Sequence, residues 1–466
     1  VLDAGAKDEQ KAEGTGSEWA LRSFFGRINY NYKERYLFEA NIRYDGSSRF
    51  AKGHRWGLFP SFSGGWRISE EAFWEPLRST FDNFKIRASW GQLGNQNIGT
   101  YPFDSFVNLA LPYVFNSSPY NGAALQAMAN NRISWEKTEM TNFGVDFTLF
   151  KNLQVTFDYY IKNTSDILLT LDVPKIIGLT APYQNAGKVR NKGWELALNY
   201  GDKVNDFSYN IGFNLSDVKN KVIDLKGINS ADLVVNHEGY SMNSIYALEA
   251  IGFFTSEDQL NNHAKQYGNY SLGDIMYKDQ LTIDTDGDGI PDEADGVIND
   301  DDKVIVGNSI PRFTFGLSTY LSWKNFDFNM LLQGVGKADG YLYSQAVMPF
   351  YLGGTATEGH KDYWSEDNPN ATYPRLAFNE PNNEKHSTFW MKNAAYLRVK
   401  NVQIGYNIPK KILQNCGIQS TRIYVSGQNL FSFDSFWDGF DVESAVGRGN
   451  HYPQVRSFSV GLDVKF

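Results

Sequence analysis

The sequence predicts an all-β protein, a transmembrane antiparallel β-barrel. Three observations lead to this prediction. Apolar and polar residues alternate in the last ten residues, 457–466, where Phe458, Val460 and Leu462 share one parity, and a period of two puts each set on its own face of a strand. The alternation recurs in about thirteen segments of the chain. The connections between these segments sort into short and long, as they do in membrane barrels.

The composition of the 466 residues agrees with this class. Aromatic residues make up 15% of the chain, and the absence of any apolar run near about 18 residues excludes a transmembrane helix. A negative mean hydropathy is compatible with the membrane because barrel strands are only half apolar. The net charge of −9 argues against nucleic acid as a partner. Cys416 is the only cysteine, which excludes an intrachain disulfide and a cysteine-based metal site.

The predicted strands follow one another to the end of the chain, each with apolar residues at every second position. In the strand at 397–406 the parity changes, which predicts a bulge near Asn401. The apolar stretch 245–254 is ambiguous and could be one more crossing. The strands lie near 24–32, 38–44, 58–66, 84–90, 143–149, 153–161, 194–200, 207–215, 313–323, 326–332, 397–406, 423–425 and 457–466.

The connections predict which end of the barrel faces outwards. Short links follow Tyr32, Leu149, Tyr200 and Trp323, and long links cover 92–136, 163–191, 217–311, 336–393 and 434–452. Short periplasmic turns and long extracellular loops are the arrangement of outer-membrane barrels, whereas a soluble sandwich has no reason to collect its long connections at one end. The links 46–56 and 68–82 are similar in length, so the rule is weak there.

The number of strands is odd, which predicts that the barrel is incomplete in this sequence. Single-chain bacterial barrels have an even number of strands, and an unpaired edge in lipid leaves backbone groups unsatisfied. We therefore expect an odd number of further strands upstream or on another chain, unless 245–254 is a true crossing. The first residues carry no signal peptide and read as the interior of a loop, which indicates a mature chain or a fragment.

An acidic motif lies in the longest predicted external loop. Counted from Asp284, carboxylates occupy the first, third, fifth, ninth and twelfth positions of 284–295, with Gly289 at the sixth. This is the spacing of an EF-hand-type calcium loop, since calcium takes about six to eight oxygens and the glycine permits the tight turn. The alternative is a solvated acidic loop. The predicted structural calcium ligands are Asp284, Asp286, Asp288, the Ile290 carbonyl, Asp292 and Asp295, with Asp302 competing as the closing ligand.

Six segments, in order along the chain, resemble the SusC/RagA-type TonB-dependent transporters of Bacteroidota. They are RYDGSSRF at 43–50, WGLFPSFSGGWRIS at 56–69, WGQLGNQNIG at 90–99, NAGKVRNKGWE at 185–195, YLRVKNVQIGY at 396–406 and SGQNL at 426–430. The resemblance covers nearly the whole chain and implies a plugged barrel of about 22 strands. Residues 1–466 are then its C-terminal portion, with 217–311 as a long extracellular loop region that contains the calcium-type loop 284–302. The plug domain and the first strands are not in this sequence.

The resemblance also implies a function. We expect active import of oligosaccharides or peptides across the cell outer membrane, with a SusD-like surface lipoprotein as partner and with energy supplied through TonB. The family usually carries a shorter acidic loop, so 284–295 resembles an insertion.

Candidate substrate contacts come from the external loops. Sugars stack on aromatic faces, and such rings occur in the loops beside amide and carboxylate side chains. The alternative, which is the more common role of any single loop ring, is packing of the loops onto each other or onto a partner. The candidates are Tyr101, Tyr120, Tyr351, Trp364 and Trp437. The six histidines are scattered without ligand spacing, and no nucleophile elbow or phosphate loop is present, so we predict no enzymatic activity. A second hypothesis, from a different class, is a calcium-stabilised surface binding or adhesion protein without transport activity.

Overall fold

A computed structural model describes residues 14, 16–171, 173–227, 232–378, 380–413 and 417–466. The N-terminal run predicted as a loop interior and Cys416 lie outside these residues. The fold is built on one sheet of 13 strands. These are β1 (Leu21–Tyr32), β2 (Tyr36–Ser47), β3 (Trp56–Arg67), β4 (Phe81–Asn95), β5 (Glu136–Leu149), β6 (Leu153–Thr170), β7 (Tyr183–Val204), β8 (Phe207–Asp224), β9 (Arg312–Trp323), β10 (Phe326–Lys337), β11 (Tyr396–Asn407), β12 (Ser420–Asp434) and β13 (Ser457–Lys465).

The strands pair in the order of the chain, and every pairing in this sheet is antiparallel. The predicted thirteen strands are therefore confirmed. Connections at one rim are mostly tight turns, such as 33–35, 150–152 and 205–206, whereas the opposite rim carries the long segments 96–135, 225–311, 338–395 and 435–456. At the short-turn rim, 68–80 and 408–419 are longer than the others. The first coincides with the predicted weak point at 68–82, and the second was not predicted.

Two details of the sequence prediction are resolved by the ladders. Leu331 pairs with Asn401 but Leu332 pairs with Val399, so the predicted bulge is present and lies at Lys400. The ambiguous stretch 245–254 is not a crossing. It forms the short strands Ser244–Ala247 and Ala250–Phe253, which belong to small sheets outside the main one.

The apolar face of the large sheet is exposed along its length. On β13, Phe458 and Val460 are 79% and 80% exposed, and large apolar side chains of the same parity on the other strands are exposed in the same way, including Ile28, Phe62, Phe143 and Ile404. Removing apolar area from water is worth about 25 cal/mol per Å², so a surface of this size in water is unfavourable. Among the described residues, no helix has the length and apolar character needed to cross a membrane.

The long connections contain short elements of their own. A two-stranded hairpin joins Val107–Phe115 to Ser118–Leu125. The other short strands are Val234–Val235, Ser244–Ala247, Ala250–Phe253, Ile275–Tyr277, Leu281–Ile283, Glu293–Ala294, Val304–Asn308, Asp339–Leu342, Met391–Asn393 and Val446–Gly447. The helices are α1 (Glu257–Asn262) and α2 (Lys410–Leu413), together with 3₁₀ turns at Ile68–Glu70, Ala72–Leu77, Lys175–Ile177, Asp300–Asp302, Ser344–Ala346, Tyr351–Gly353, Glu358–Lys361, Thr388–Trp390 and Val442–Ser444.

Three long connections pack together into one unit, which we call the loop cap: the described residues of 225–311, 338–395 and 435–456. Its centre holds Tyr277, Tyr341 and Trp390, all fully buried. Tyr341 pairs with Val446 in a parallel ladder, which ties the second connection to the third. Each large side chain buried in this way contributes about 1.5–3 kcal/mol, so the loop cap has a core of its own.

Candidate functional site: the polar face and the loop cap

A cluster of ion pairs centred on Arg87 joins three neighbouring strands on the polar face of the sheet. The Arg87 guanidinium bonds Asp146 (Nε–Oδ2, 3.0 Å) on the neighbouring strand and Asp158 (Nη1–Oδ1, 2.6 Å) one strand further on. Lys85 also contacts Asp146, at 2.8 Å. The reach across two strands is possible because Gly144 lies between them: a Cβ there would be 2.4 Å from Cζ of Arg87.

A second arginine at the other end of the sheet also reaches across a glycine to an aspartate two strands away. Arg422 on β12 forms a bidentate pair with Asp327 on β10, two strands away, and also donates to Gln403 (2.9 Å). The glycine between them is Gly405, where a Cβ would be 2.5 Å from Nη2 of Arg422. Fixed, bidentate pairs of this kind have a defined geometry and satisfy charges that a half-buried surface would otherwise leave unpaired.

A groove lies on the polar face across β1 to β5. Its volume is about 450 Å³. Its lining surface is more apolar than polar, with Tyr30, Leu37, Phe38 and Ala88 beside the amide, hydroxyl and charged side chains of Asn29, Asn31, Glu39, Ser63, Lys85, Arg87, Ser89 and Asn142. The amide and charged side chains of this groove offer hydrogen bonds to a bound molecule, and its apolar side chains offer packing contacts.

Within the loop cap, a buried polar network joins 225–311 to 338–395. Gln266 donates to Asn382 (Nε2–Oδ1, 2.9 Å), and Asn382 in turn donates to the carbonyl of Ile275 (2.8 Å). Nearby, Asn383 donates to Asp274 (2.7 Å), whose other oxygen accepts from Arg375 (2.8 Å). Buried polar groups that are paired in this way fix one arrangement of the backbone, because breaking a pair leaves a group unsatisfied.

Burial sets the charge state of several groups in the loop cap. It raises the pKa of Tyr277 and Tyr341, so both hydroxyls stay neutral and act as donors or acceptors. Burial lowers the pKa of His360, whose ring is almost inaccessible. The two ring nitrogens of His360 have opposite partners: Nδ1 accepts from the Thr357 backbone N–H (2.9 Å) and Nε2 faces the Val347 carbonyl (3.0 Å). This pairing fits the neutral imidazole with its proton on Nε2.

The acidic motif forms an exposed loop that is closed at its base by pairing between Leu281–Ile283 and Glu293–Ala294. One carboxylate oxygen from each of Asp284, Asp286 and Asp288 lies within 4.8 Å of the others. Asp284 accepts from the backbone N–H of Gly287 (2.7 Å) and of Gly289 (2.8 Å), and these bonds lower its pKa. Gly287 and Gly289 both have positive φ, the conformation that glycine adopts without strain.

The other predicted calcium ligands are placed differently. Asp292 lies across the loop, where its bonds with the Thr285 hydroxyl lower its pKa. Asp295 accepts from the Val297 N–H (2.8 Å). Asp302 is fully buried and accepts from the backbone N–H of Gln280 (2.8 Å) and of Asn299 (2.7 Å), so it anchors the base of the loop. Ile290 is exposed at the tip of the loop.

The five aromatic substrate candidates fall into two groups. Trp437 is buried beside Tyr373 (ring centroids 6.0 Å apart) and Trp390, and Trp364 is buried against Gly273. Both rings therefore pack the loop cap. Tyr120 is exposed on the hairpin 107–125, Tyr351 packs partly against the core, and the Tyr101 hydroxyl donates to the Glu18 carbonyl (2.9 Å).

The structure adds a polar cavity that the sequence did not indicate. It lies between the connection 96–135 and the start of β7, and has a volume of about 690 Å³. Phe103, Asn130, Asn131, Arg132, Gln184 and Asn185 line it. Its residues come from the connection 96–135, which has no periodicity, and from the first residues of β7, and no sequence pattern brings these two parts together.

Comparison with known proteins decides between the two fold hypotheses. A family model described as TonB dependent receptor-like, beta-barrel, matches residues 3–430. The chain belongs to this family. It is thus a multi-strand barrel protein of the outer membrane, which confirms the predicted fold class and location and removes the soluble β-architecture. Family members are receptors and transporters, in agreement with the prediction of no enzymatic activity.

Individual relatives align over essentially the whole chain. TonB-dependent receptor P3 of Formosa agariphila is 32% identical, covering 100% of this chain and 47% of its own length. TonB-dependent receptor SusC of Bacteroides thetaiotaomicron is 30% identical, covering 98% and 45%. The solved RagAB peptide transporter shares the fold, with a TM-score of 0.81 at 23% identity, covering 100% of this chain and 50% of that one. The chain thus spans about half the length of the relatives it matches.

Proposed function

We propose that this chain forms the C-terminal part of the barrel of an outer-membrane importer for oligosaccharides (glycans) or peptides. The observation that carries the proposal is the division of the sheet into two faces. One face is apolar and exposed, as lipid contact requires, and the other holds the paired charges of Arg87, Asp146 and Asp158 and of Arg422 and Asp327. The polar face lines the path of the substrate.

The partners follow from the relatives. Energy comes from TonB, since the family is TonB-dependent by name. A SusD-like surface lipoprotein covers the loop-bearing rim, as the similarity to SusC suggests. The RagAB structure is that of a peptide transporter, so peptides are proposed as substrates as well as oligosaccharides.

Substrate recognition involves the external connections. Among the aromatic candidates, Tyr120 has an exposed ring, and Tyr101 and Tyr351 are half-buried. Trp364 and Trp437 act indirectly, by holding the loop cap in shape. The cavity that contains Phe103 and Arg132 offers an aromatic face, amides and one cation, a set that suits polar or anionic ligands.

A structural calcium ion in the acidic loop is part of the same proposal. Asp284, Asp286 and Asp288 supply carboxylate oxygens from one side of the loop. Asp292, Asp295, the Ile290 carbonyl and water complete the set of about six to eight oxygens that calcium takes. Asp302 keeps its two backbone partners and holds the base of the loop in place. The ion stabilises the loop and takes no part in chemistry.

Uptake in living cells tests the importer. Fluorescent oligosaccharides and peptides of matched size are presented to wild-type cells and to cells that lack the gene, with and without a protonophore. We expect uptake of one substrate class that disappears on deletion and on loss of the proton gradient. Uptake that survives collapse of the gradient indicates a passive pore and contradicts the proposal, as does equal uptake by both strains.

A further inference from the structure

The connection 68–80 at the short-turn rim folds onto the outer face of the sheet. Its 3₁₀ turn Ala72–Leu77 brings Phe73 against Trp66 (centroids 6.5 Å apart, edge-on) and Trp74 against Phe84 (5.0 Å). Trp66 and Phe84 belong to the apolar parity of β3 and β4. The turn therefore lies on the lipid side of the barrel and does not enter the polar lumen.

Glu71 holds this connection against the aromatic residues of the rim. Its carboxylate accepts from the Tyr36 hydroxyl (2.7 Å), from Nε1 of Trp66 (3.2 Å) and from Arg35 (3.1 Å). Tyrosine and tryptophan at a membrane interface normally direct their polar ends to water or lipid headgroups. Here the protein supplies the acceptor itself, and the hydrogen bond from Tyr36 lowers the pKa of Glu71.

The turn has one apolar side that nothing in the described chain covers. Phe73 is 63% exposed and Leu77 is 46% exposed. Apart from Glu71, the charged residues of the connection contact one another, since Arg78 lies 3.3 Å from Glu75 and 3.9 Å from Glu70. Segments with an apolar side, a charged side and little net hydrophobicity lie in the interface of a bilayer.

We propose that Ala72–Leu77 is an interfacial anchor, which inserts Phe73 and Leu77 into the phospholipid of the leaflet at the short-turn rim. The occupant of this apolar surface is lipid because the surface continues the lipid-facing side of the sheet through Trp66 and Phe84. Glu71 is a positioning residue that fixes the turn at this depth. The anchor defines how far the barrel sits in the membrane at this rim, and it does not depend on which substrate the protein imports.

Site-directed spin labelling of the native protein in phospholipid vesicles tests the anchor. In a background that carries Cys416→Ser and no other cysteine, single labels are placed by Phe73→Cys and Leu77→Cys. The matched control is Glu75→Cys, on the charged side of the same turn, and Val460→Cys is the lipid-exposed reference. Folding of each variant is checked by its heat-dependent mobility in detergent gels. Because two positions are tested, the experiment still gives a result if one variant does not fold.

We expect the labels at 73 and 77 to be relaxed by oxygen, which concentrates in lipid, as strongly as the label at 460. The label at 75 is relaxed instead by a water-soluble nickel chelate. The proposal is overturned if the labels at 73 and 77 respond to the nickel chelate as the control does, which places them in water. It is also overturned if they are shielded from both reagents, which places them under protein.

Discussion

Arg87 and Asp158 form an ion pair of 2.6 Å although they lie two strands apart, because Gly144 on the strand between them has no side chain. Arg87 also keeps its pair with Asp146, so three strands are tied together on the polar face by one guanidinium. The arrangement keeps an arginine flat against the wall of the barrel, where it is charged but does not obstruct the lumen.

Gly144→Ala is expected to destabilise the barrel by about 1–2 kcal/mol, the range for a charged hydrogen bond discounted for partial exposure. The new Cβ displaces Arg87 and breaks its pair with Asp158. The unfolding free energy in lipid vesicles measures the effect. Gly64→Ala is the control, since a Cβ there meets nothing within 4 Å. If Gly144→Ala lowers the unfolding free energy by the same amount when Asp158 is already replaced by Asn, the explanation is wrong.

Asn382→Ala is expected to loosen the loop cap and leave the barrel intact. The substitution removes the bonds to Gln266 and to the Ile275 carbonyl, both buried, at a cost of about 1–3 kcal/mol. Protease cleavage within 225–311 and 338–395 should accelerate, while the heat-dependent gel mobility of the barrel stays the same. Exposed Asn370 provides the control Asn370→Ala. Unchanged cleavage in Asn382→Ala would show that the network does not hold the loop cap together.

Calcium is expected to protect the acidic loop with a dissociation constant of about 10⁻⁴–10⁻³ M, as in extracellular calcium modules. The measurement is the rate of proteolysis within 281–294 across a calcium titration. Asp286→Asn combined with Asp288→Asn should abolish the protection, because both carboxylates belong to the converging group. Asp301→Asn, at an exposed acid of the same connection, should leave it unchanged. If calcium protects the double variant as well as it protects Asp301→Asn, the proposed calcium site is wrong.

The loop cap is expected to lose stability as the pH falls below about 6.5, the ordinary pKa of histidine. Burial lowers the pKa of His360, so the unfolded state binds the proton more readily and stability rises with pH through this window. Opening free energies from hydrogen exchange, corrected for intrinsic rates, measure the trend.

The substitution His360→Asn should reduce this pH dependence, and the part that persists belongs to His386, whose pKa burial also lowers. His451→Asn, at an exposed ring, serves as the control and should leave the dependence at its wild-type size. If the pH dependence of the opening free energy is as large in His360→Asn as in the wild type, it arises from groups other than His360.

The large sheet could be predicted from the sequence because each strand has one face towards lipid and the other towards the polar lumen. That difference imposes a period of two, visible from Phe24 to Phe466, and even the bulge beside Asn401 shows as a change of parity. The close approach of Asp284, Asp286 and Asp288 could be predicted because these carboxylates are close in sequence.

The loop cap could not be predicted in the same way. Tyr277, Tyr341 and Trp390 come from connections without any period, and they meet only because those connections pack on each other. For the same reason the sequence could not separate Trp364 and Trp437, two of the candidate substrate contacts, from loop-packing rings, and both are buried in the structure. The part played by Gly144 depends on a neighbour two strands away, which a single sequence does not reveal.

The division of the sheet into a lipid-facing and a lumen-facing side is tested most directly by a cysteine scan of β13 in native outer membranes. Each position from 458 to 463 is replaced in turn except Gly461, where a Cβ would lie 2.1 Å from the Tyr424 ring, and reaction with a membrane-impermeant maleimide is measured. We predict a period of two, with labelling at Ser459 and Asp463 and protection at Phe458, Val460 and Leu462. Uniform labelling along the strand would contradict it.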